Sequence, residues 1–153
     1  MSRISFKNII LSSILKKRIN HINMINENPI ETQKKTLKYL INTSKNTEFG
    51  IEHSFNRISN YETFINYIPI RDYEELFKYI KRIREGGKNI LWPGEIRNFA
   101  KSSGTTNAKS KFIPLSKETL YNCHYKGGKD MLALYLESNP NSKMFDGKGI
   151  ILG

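Results

Sequence analysis

Apolar side chains recur at helical spacing along most of the chain and predict several amphipathic helices. The first spans about residues 4–25, where Ile and Leu side chains separated by 7, 4 and 7 positions form one stripe. The stripe consists of Ile4, Leu11, Leu15 and Ile22. A basic amphipathic helix can lie on a membrane, but this apolar face has no Trp and only one Phe. We therefore interpret the segment as a helix packed on its own protein.

Capping residues mark the start of a second helix. Asn28 followed by Pro29 is typical of an N-cap with proline in the first helical position. The apolar face of this helix comprises Ile30, Leu37, Leu40 and Ile41. A loop follows through Asn46 and Gly50, and residues 61–67 predict a short helix.

The most strongly marked helix begins after Asp72. Asp72 and Glu75 form a capping box, and Gly86 with Gly87 ends the helix. Its apolar positions follow the helical period and comprise Tyr73, Leu76, Phe77, Ile80 and Ile83. The loop after it contains Trp92, which could line a pocket; a turn anchored by one aromatic side chain is the interpretation we favour.

Two short strands and a final helix follow. Residues 96–101 predict a strand that enters a polar loop, and residues 111–113 predict a strand that leaves it. Ser116 caps a predicted helix over residues 117–137, in which Gly127 and Gly128 indicate a bend or a close backbone contact. The apolar set of this helix comprises Leu120, Met131, Leu134 and Tyr135.

The chain ends on an apolar run, residues 149–153, that predicts a strand without a partner. Helices followed by isolated strands predict an α/β fold, helix-rich, with a sheet that this sequence does not complete. At 153 residues the chain has the size of one domain. We expect it to be the N-terminal portion of a longer fold.

Composition excludes several classes of protein. A single cysteine, Cys123, rules out an internal disulfide and a thiolate metal cage, and it favours a reducing, cytoplasmic setting. We expect no signal peptide, no membrane span and no metal site built by the protein. The net charge of +11 suggests nucleic-acid binding, but the bias toward Ile, Lys and Asn weakens that inference. His21, His53 and His124 share no ligand spacing, and no catalytic side chain is assigned.

The polar loop carries the strongest chemical signal. Ser102, Ser103, Gly104, Thr105 and Thr106 combine four hydroxyls with one glycine, which is suited to a close approach to phosphate oxygens. No carboxylate lies between Glu95 and Glu118, whereas five cations do: Arg97, Lys101, Lys109, Lys111 and Lys117. The loop is neither a Walker A motif nor a dinucleotide fingerprint, because the required glycines are absent. By composition alone, a polar turn is an equally good interpretation.

The complete pattern S-S-G-T-T-x(4)-K-x-x-P runs from Ser102 through Lys111 to Pro114. It resembles the phosphate-binding signature of the adenylate-forming superfamily. Its lysine spacing is similar to that of the acyl acid–amido synthetases, known from plants as auxin-responsive proteins and also found in bacteria. Asn107 is a departure, because many members carry glycine there; asparagine tolerates left-handed backbone geometry better than most residues.

Three upstream segments are similar to bacterial members of the same branch. They are T-E-F-G at residues 47–50, I-P-I-R-D-Y-E at residues 68–74 and L-W-P-G at residues 91–94. With them, the resemblance extends from about residue 30 to the end of the chain.

The resemblance implies ATP-dependent activation of a small carboxylic acid as an acyl-adenylate, followed by amide formation with an amino acid. It implies that Ser102, Ser103, Gly104, Thr105, Thr106 and Lys111 hold the phosphates of ATP with Mg²⁺. Members of the family are much longer, and their mobile C-terminal domain has no counterpart in this chain. We therefore expect a truncated adenylating domain that is inactive alone.

Two other functions stay open. The first is a basic nucleic-acid-binding module, which lacks interleaved aromatic residues and a module signature in this sequence. The second is a scaffold or inactive paralogue that keeps the fold without the chemistry. We expect no nucleic-acid partner.

Overall fold

The computed structural model describes residues 6–102 and 110–144 of the chain. The described residues divide into two compact units: a central unit, residues 29–120, and a terminal unit, residues 6–28 with 121–144. In chain order the elements are α1 (Phe6–Glu27), α2 (Pro29–Ser44), α3 (Glu48–Glu52), a 3₁₀ turn (Phe55–Arg57), α4 (Tyr61–Tyr67), α5 (Tyr73–Arg84), β1 (Asn98–Lys101), β2 (Phe112–Leu115), α6 (Lys117–Thr119), a π-helix (Leu120–Tyr125) and α7 (Lys126–Ser138).

The predicted fold class, α/β and helix-rich with an incomplete sheet, is confirmed. Most described residues are helical, and β1 and β2 form a two-stranded antiparallel sheet that does not close. The strand predicted at residues 149–153 lies outside the described residues.

The terminal unit is built on α1 and α7. Leu15 and Ile19 of α1 pack with Ala133 of α7, and all three side chains are buried. Arg18 Nε donates to Asp130 Oδ1 at 2.6 Å and ties the two helices together. Packing of α1 on its own protein is confirmed from Leu15 onward. The upstream members of the predicted stripe, Ile4 and the side chain of Leu11, lie outside the description.

The helix predicted over residues 117–137 is not a single regular α-helix in the structure. A π-helix at Leu120–Tyr125 separates α6 from α7. Because a π-turn bonds i to i+5, it rotates the following residues relative to a regular α-helix. Within α7 itself the predicted apolar set is wrong: Met131, Leu134 and Tyr135 are exposed, whereas Ala133 packs against α1 and is 2% exposed.

The glycine pair in this helix does not make a close contact. A Cβ placed on Gly127 or Gly128 would have no described heavy atom within 4 Å outside its own helix backbone, so the close contact, one of the two predicted alternatives, is wrong. The irregularity lies just upstream, in the π-helix. Ser116 is confirmed as the N-cap, because its Oγ accepts from the Thr119 N–H at 3.1 Å.

The core of the central unit is centred on α5. Tyr79, Ile83, Ile90 and Ile96 form a buried cluster against which Phe49 packs. The capping box is confirmed: Asp72 Oδ1 accepts from the Glu75 N–H, and Glu75 Oε2 accepts from the Asp72 N–H, both at 2.9 Å. Sequence reasoning missed Tyr79, which is 1% exposed, and placed in the core Phe77, which is 39% exposed.

The loop predicted through Asn46 and Gly50 contains a helix instead. Thr47 caps α3: its Oγ1 accepts from the Gly50 N–H at 3.1 Å and donates to the Ser44 carbonyl at 2.7 Å. Gly50 lies so close to the end of α2 that a Cβ there would clash with the same Ser44 carbonyl oxygen. A five-residue helix is too short to show a hydrophobic period, which is why the pattern failed to predict it.

The other elements of the central unit follow the prediction with smaller shifts. α2 begins at Pro29 and α4 spans Tyr61–Tyr67, as predicted. On α2, Ile41 is buried, but Ile30 and Leu40 are largely exposed. β1 begins two residues after the predicted residue 96, because Ile96 packs into the core before the chain enters the ladder.

The hairpin pairs Asn98 with Leu115, Phe99 with Pro114, Ala100 with Ile113 and Lys101 with Phe112. On the edge of β2 that faces away from β1, the Phe112 N–H donates to the Tyr73 hydroxyl at 3.0 Å. Pro114 lies two residues further and therefore faces the same edge, where its missing N–H costs no ladder bond. The hairpin is thus held to the first turn of α5.

Candidate phosphate-binding hairpin

The hairpin brings together the two predicted phosphate-binding residues that the structure describes. Ser102 directly follows β1 and Lys111 directly precedes β2, so both lie at the base of the polar loop. Ser103, Gly104, Thr105 and Thr106 lie outside the described residues, as does Lys109. The predicted site is therefore described at its two ends.

Two hydrogen bonds join these ends. The Ser102 N–H donates to the Lys111 carbonyl at 2.9 Å, and the Lys111 N–H donates to Ser102 Oγ at 3.0 Å. The side-chain oxygen of Ser102 thus takes the place of a backbone carbonyl at the last rung of the ladder. A hydroxyl that accepts one hydrogen bond still carries its own hydrogen. Ser102 can therefore hold the loop base and donate to a bound oxygen.

Cationic side chains surround the base of the loop. Lys111 Nζ lies 5.1 Å from the centre of the Tyr73 ring, in the range of a cation–π contact. The Arg84 guanidinium, from the last turn of α5, lies 4.1 Å from the centre of the Phe112 ring. Lys101, opposite Phe112 in the ladder, is exposed. Three positive charges near one short hairpin favour an anionic ligand.

A cavity of about 520 Å³ lies beside β2 in the same unit. Its lining is mainly apolar and includes Tyr73, Leu76, Ile80, Trp92, Ile113 and Pro114. Trp92 thus lines a pocket, the alternative that sequence reasoning disfavoured. The Trp92 Nε1–H donates to Glu118 Oε2 at 3.0 Å. A hydrogen bond from its own backbone N–H lowers the pKa of Glu118, with smaller contributions from Ser116 and Trp92, so this carboxylate stays ionised.

Arg71 brings a guanidinium to the wall of this cavity. Its Nη2 donates to His53 Nε2 at 2.8 Å, and because arginine only donates, the imidazole accepts there. His53 is buried and stacks on Phe49 with ring centres 4.0 Å apart. Its place in the core agrees with the interpretation of a packed side chain.

Sequence reasoning missed the contribution of Tyr73 to the hairpin. Its helical spacing predicted a core position, and the structure instead places its hydroxyl on β2 and its ring under Lys111. The available signal was the I-P-I-R-D-Y-E segment at residues 68–74, which contains Tyr73 and is one of the segments on which the resemblance described above rests.

The described residues contain neither a cluster of metal ligands nor a helix that could span a membrane. Over residues 6–102 and 110–144, no three His, Cys, Asp or Glu side chains converge as metal ligands. Over the same residues, no helix has both the length and the apolar character that crossing a bilayer requires.

Comparison with known proteins adds relatives of defined chemistry. The profile of the GH3 family N-terminal domain matches residues 18–151. A jasmonoyl–L-amino acid synthetase of Oryza sativa subsp. japonica is 32% identical over 103 residues, covering 67% of this chain and 18% of the relative. An indole-3-acetic acid-amido synthetase of Arabidopsis thaliana is 30% identical over 106 residues, covering 69% of this chain and 17% of the relative. The chain spans less than a fifth of the length of these relatives.

Proposed function

The chain belongs to the GH3 family, and from this membership we propose that it forms the N-terminal part of an acyl acid–amido synthetase and supplies the phosphate-binding loop of that enzyme. The two relatives reported above are named for joining jasmonic acid or indole-3-acetic acid to amino acids. The proposed substrates are accordingly a small carboxylic acid, ATP and an amino acid.

The proposed reaction has two steps. A carboxylate oxygen attacks the α-phosphorus of ATP, the acyl–O–P bond forms, and pyrophosphate leaves with the electron pair of the broken P–O bond. The amino-acid nitrogen then attacks the acyl carbon, AMP leaves, and the nitrogen loses a proton as the amide forms. The hairpin would serve the first step, in which gathering and orienting the phosphates is the main task of the protein.

One observation carries the proposal: the hairpin holds Ser102 and Lys111 side by side, joined by two hydrogen bonds, at the base of the S-G-T-T segment. A hydroxyl donor and an ammonium at one position match the oxygens and charge of a polyphosphate. The lysine would act as a point charge on the β- and γ-phosphates, with the hydroxyls and backbone N–H groups of residues 102–106 around them.

Mg²⁺ fits this arrangement as an ion carried by the nucleotide. The described residues of the hairpin offer hydroxyl and ammonium groups and no carboxylate, and Mg²⁺ is commonly bound through substrate phosphates, waters and few protein oxygens. When bound, it would neutralise phosphate charge; a serine or threonine hydroxyl of residues 102–106 would be its protein contact.

The direct test is a titration of this chain with MgATP, followed by ³¹P NMR. We expect Lys111→Ala to weaken binding by about 10- to 150-fold, because a charge-assisted contact contributes roughly 1.5–3 kcal/mol. Lys88→Ala is the matched control: Lys88 is exposed, lies in the same unit and pairs with Glu95 at 3.9 Å. Equal affinities for wild type, Lys111→Ala and Lys88→Ala would refute the assigned role of Lys111.

Two finer proposals accompany this function. Because residues 47–50, 68–74 and 91–94 are similar to bacterial synthetases, we propose that the parent enzyme belongs to that branch. Because the single cysteine suits a reducing compartment, we propose a cytoplasmic enzyme. An intact-mass measurement of the native protein would test the proposal that the chain is one part of a longer enzyme.

A further inference from the structure

We infer that Tyr73 is a positioning residue for phosphate binding: its ring holds the Lys111 ammonium and its hydroxyl holds the strand that carries Lys111. This inference rests on the proposed function of the hairpin. Tyr73 is the first residue of α5 and lies 38 positions before Lys111, so α5 presents it to the hairpin through the fold. The structure shows two separate contacts, one for each part of the side chain.

The first contact orders the side chain of Lys111. Its Nζ lies 5.1 Å from the Tyr73 ring centre, and the residue is otherwise exposed. A free lysine side chain samples many rotamers, and part of that freedom is lost when the ammonium binds a phosphate. An ammonium already held over a ring has lost some of that freedom before the ligand arrives, which favours binding.

The second contact orders the backbone next to Lys111. The Tyr73 hydroxyl accepts from the Phe112 N–H at 3.0 Å on the outer edge of β2. That edge has no neighbouring strand among the described residues, so the phenol oxygen satisfies a donor that the sheet leaves open. The bond sets the position of β2 immediately after Lys111 and therefore the direction from which this lysine enters the loop.

The helix that carries Tyr73 is itself well anchored. The capping box of Asp72 and Glu75 closes the first turn of α5, and Ile80 and Ile83 bury the next turns in the core. Tyr73 is thus a side chain on a rigid element that contacts a short hairpin, which is the arrangement expected of a positioning residue.

Two substitutions separate the two contacts. Tyr73→Phe removes the hydroxyl and keeps the ring, whereas Tyr73→Leu removes both. We expect MgATP affinity of this chain to fall about 3-fold in Tyr73→Phe and about 10-fold in Tyr73→Leu, from the usual ranges for one hydrogen bond and one cation–π contact. Tyr61→Leu, at a tyrosine of α4 that is 66% exposed, is the matched control and should leave the affinity unchanged.

Tyr73 substitutions made with and without Lys111 distinguish a positioning role from a merely structural role. In a Lys111→Ala background, Tyr73→Phe and Tyr73→Leu should bind MgATP equally tightly, because the ring then has no ammonium to hold. The loss caused by Tyr73→Phe should also shrink in this background, because the position of β2 then no longer directs a lysine toward the phosphates. A ring effect that is equally large with and without Lys111 would overturn the inference.

The contact can also be measured without a ligand. Protons over an aromatic ring resonate upfield, so the Lys111 side-chain protons should shift toward ordinary lysine values in Tyr73→Leu and stay shifted in Tyr73→Phe. If Tyr73→Leu leaves these shifts or the MgATP affinity unchanged while Lys111→Ala weakens binding, the inference fails and the proposed function stands. If wild type and Lys111→Ala bind equally or not at all, the proposed function fails and the inference with it.

Discussion

Replacing Thr47 by valine tests how the T-E-F-G segment is built. Valine keeps the shape of threonine, so the change removes the hydroxyl without opening a cavity. Thr47 is 1% exposed, and its Oγ1 both accepts from the Gly50 N–H and donates to the Ser44 carbonyl. The substitution therefore leaves the buried Gly50 N–H without its acceptor, whereas the Ser44 carbonyl loses the hydroxyl but still accepts from the backbone N–H of residue 47 at 3.0 Å.

The expected loss follows from these two bonds. An unsatisfied buried group costs about 1–3 kcal/mol, and loss of an N-cap side chain costs about 0.5–2 kcal/mol. The two ranges describe the same loss and overlap, so we expect Thr47→Val to lower the free energy of unfolding by about 1–2 kcal/mol. For a chain of this size that corresponds to a fall in Tm of roughly 2–8 °C.

The assay is urea unfolding followed by far-UV circular dichroism, together with amide hydrogen exchange at Gly50. Thr47→Ser is the control, because it keeps the hydroxyl and loses one methyl group, which costs about 1 kcal/mol. We expect wild type to be the most stable, Thr47→Ser to be less stable and Thr47→Val to be the least stable. The Gly50 amide should exchange faster than in wild type only in Thr47→Val. A valine variant as stable as wild type, or less damaging than serine, would refute this account of the segment.

Three further predictions follow from other parts of the molecule. Burial is the main cause that raises the pKa of Tyr79, and a hydrogen bond to Glu52 raises it further. The same hydrogen bond is the main cause that lowers the pKa of Glu52. Tyr79 therefore stabilises the fold below its ordinary pKa, and this contribution is lost as the pH rises through its raised pKa. Glu52 stabilises the fold above its ordinary pKa, and this contribution is lost as the pH falls through its lowered pKa. Tyr79→Phe should flatten the dependence of unfolding free energy on pH at both ends, as measured by urea titrations over a pH series. Ala133→Leu should destabilise the α1–α7 packing by about 1–3 kcal/mol through overpacking, whereas Met131→Leu at an exposed position should change thermal stability little; equal losses would contradict the phase of α7. Finally, the chain should show no steep salt-dependent affinity for DNA or RNA in gel-shift titrations, and a slope typical of many phosphate contacts would favour the nucleic-acid alternative.

Features set by neighbouring residues were predictable from the sequence. The capping box of Asp72 and Glu75, the N-cap Ser116 and the start of α2 at Pro29 each depend on a few adjacent residues, and each is where the pattern places it. The two strands on either side of the polar loop were predictable from their short apolar segments, whereas their pairing into a hairpin was not predicted.

Features that depend on distant contacts were not predictable. The buried side of α7 is set by its packing on α1, and the large apolar residues Met131, Leu134 and Tyr135 lie on the exposed side. Ala133 is buried because α1 leaves room for a small side chain there, and alanine contributes little to a hydrophobic period. Tyr73 illustrates the same limit: its spacing identifies a helical residue, but only the fold shows that it meets β2 and Lys111.

The outer edge of β2 determines the direction in which this sheet can be extended. On that edge, the Phe112 N–H is taken by the Tyr73 hydroxyl, and Pro114 has no N–H to offer. An added strand would therefore find neither donor and would have to displace α5. Further strands of a larger sheet can therefore pair with the hairpin only along the outer edge of β1, because α5 covers the outer edge of β2.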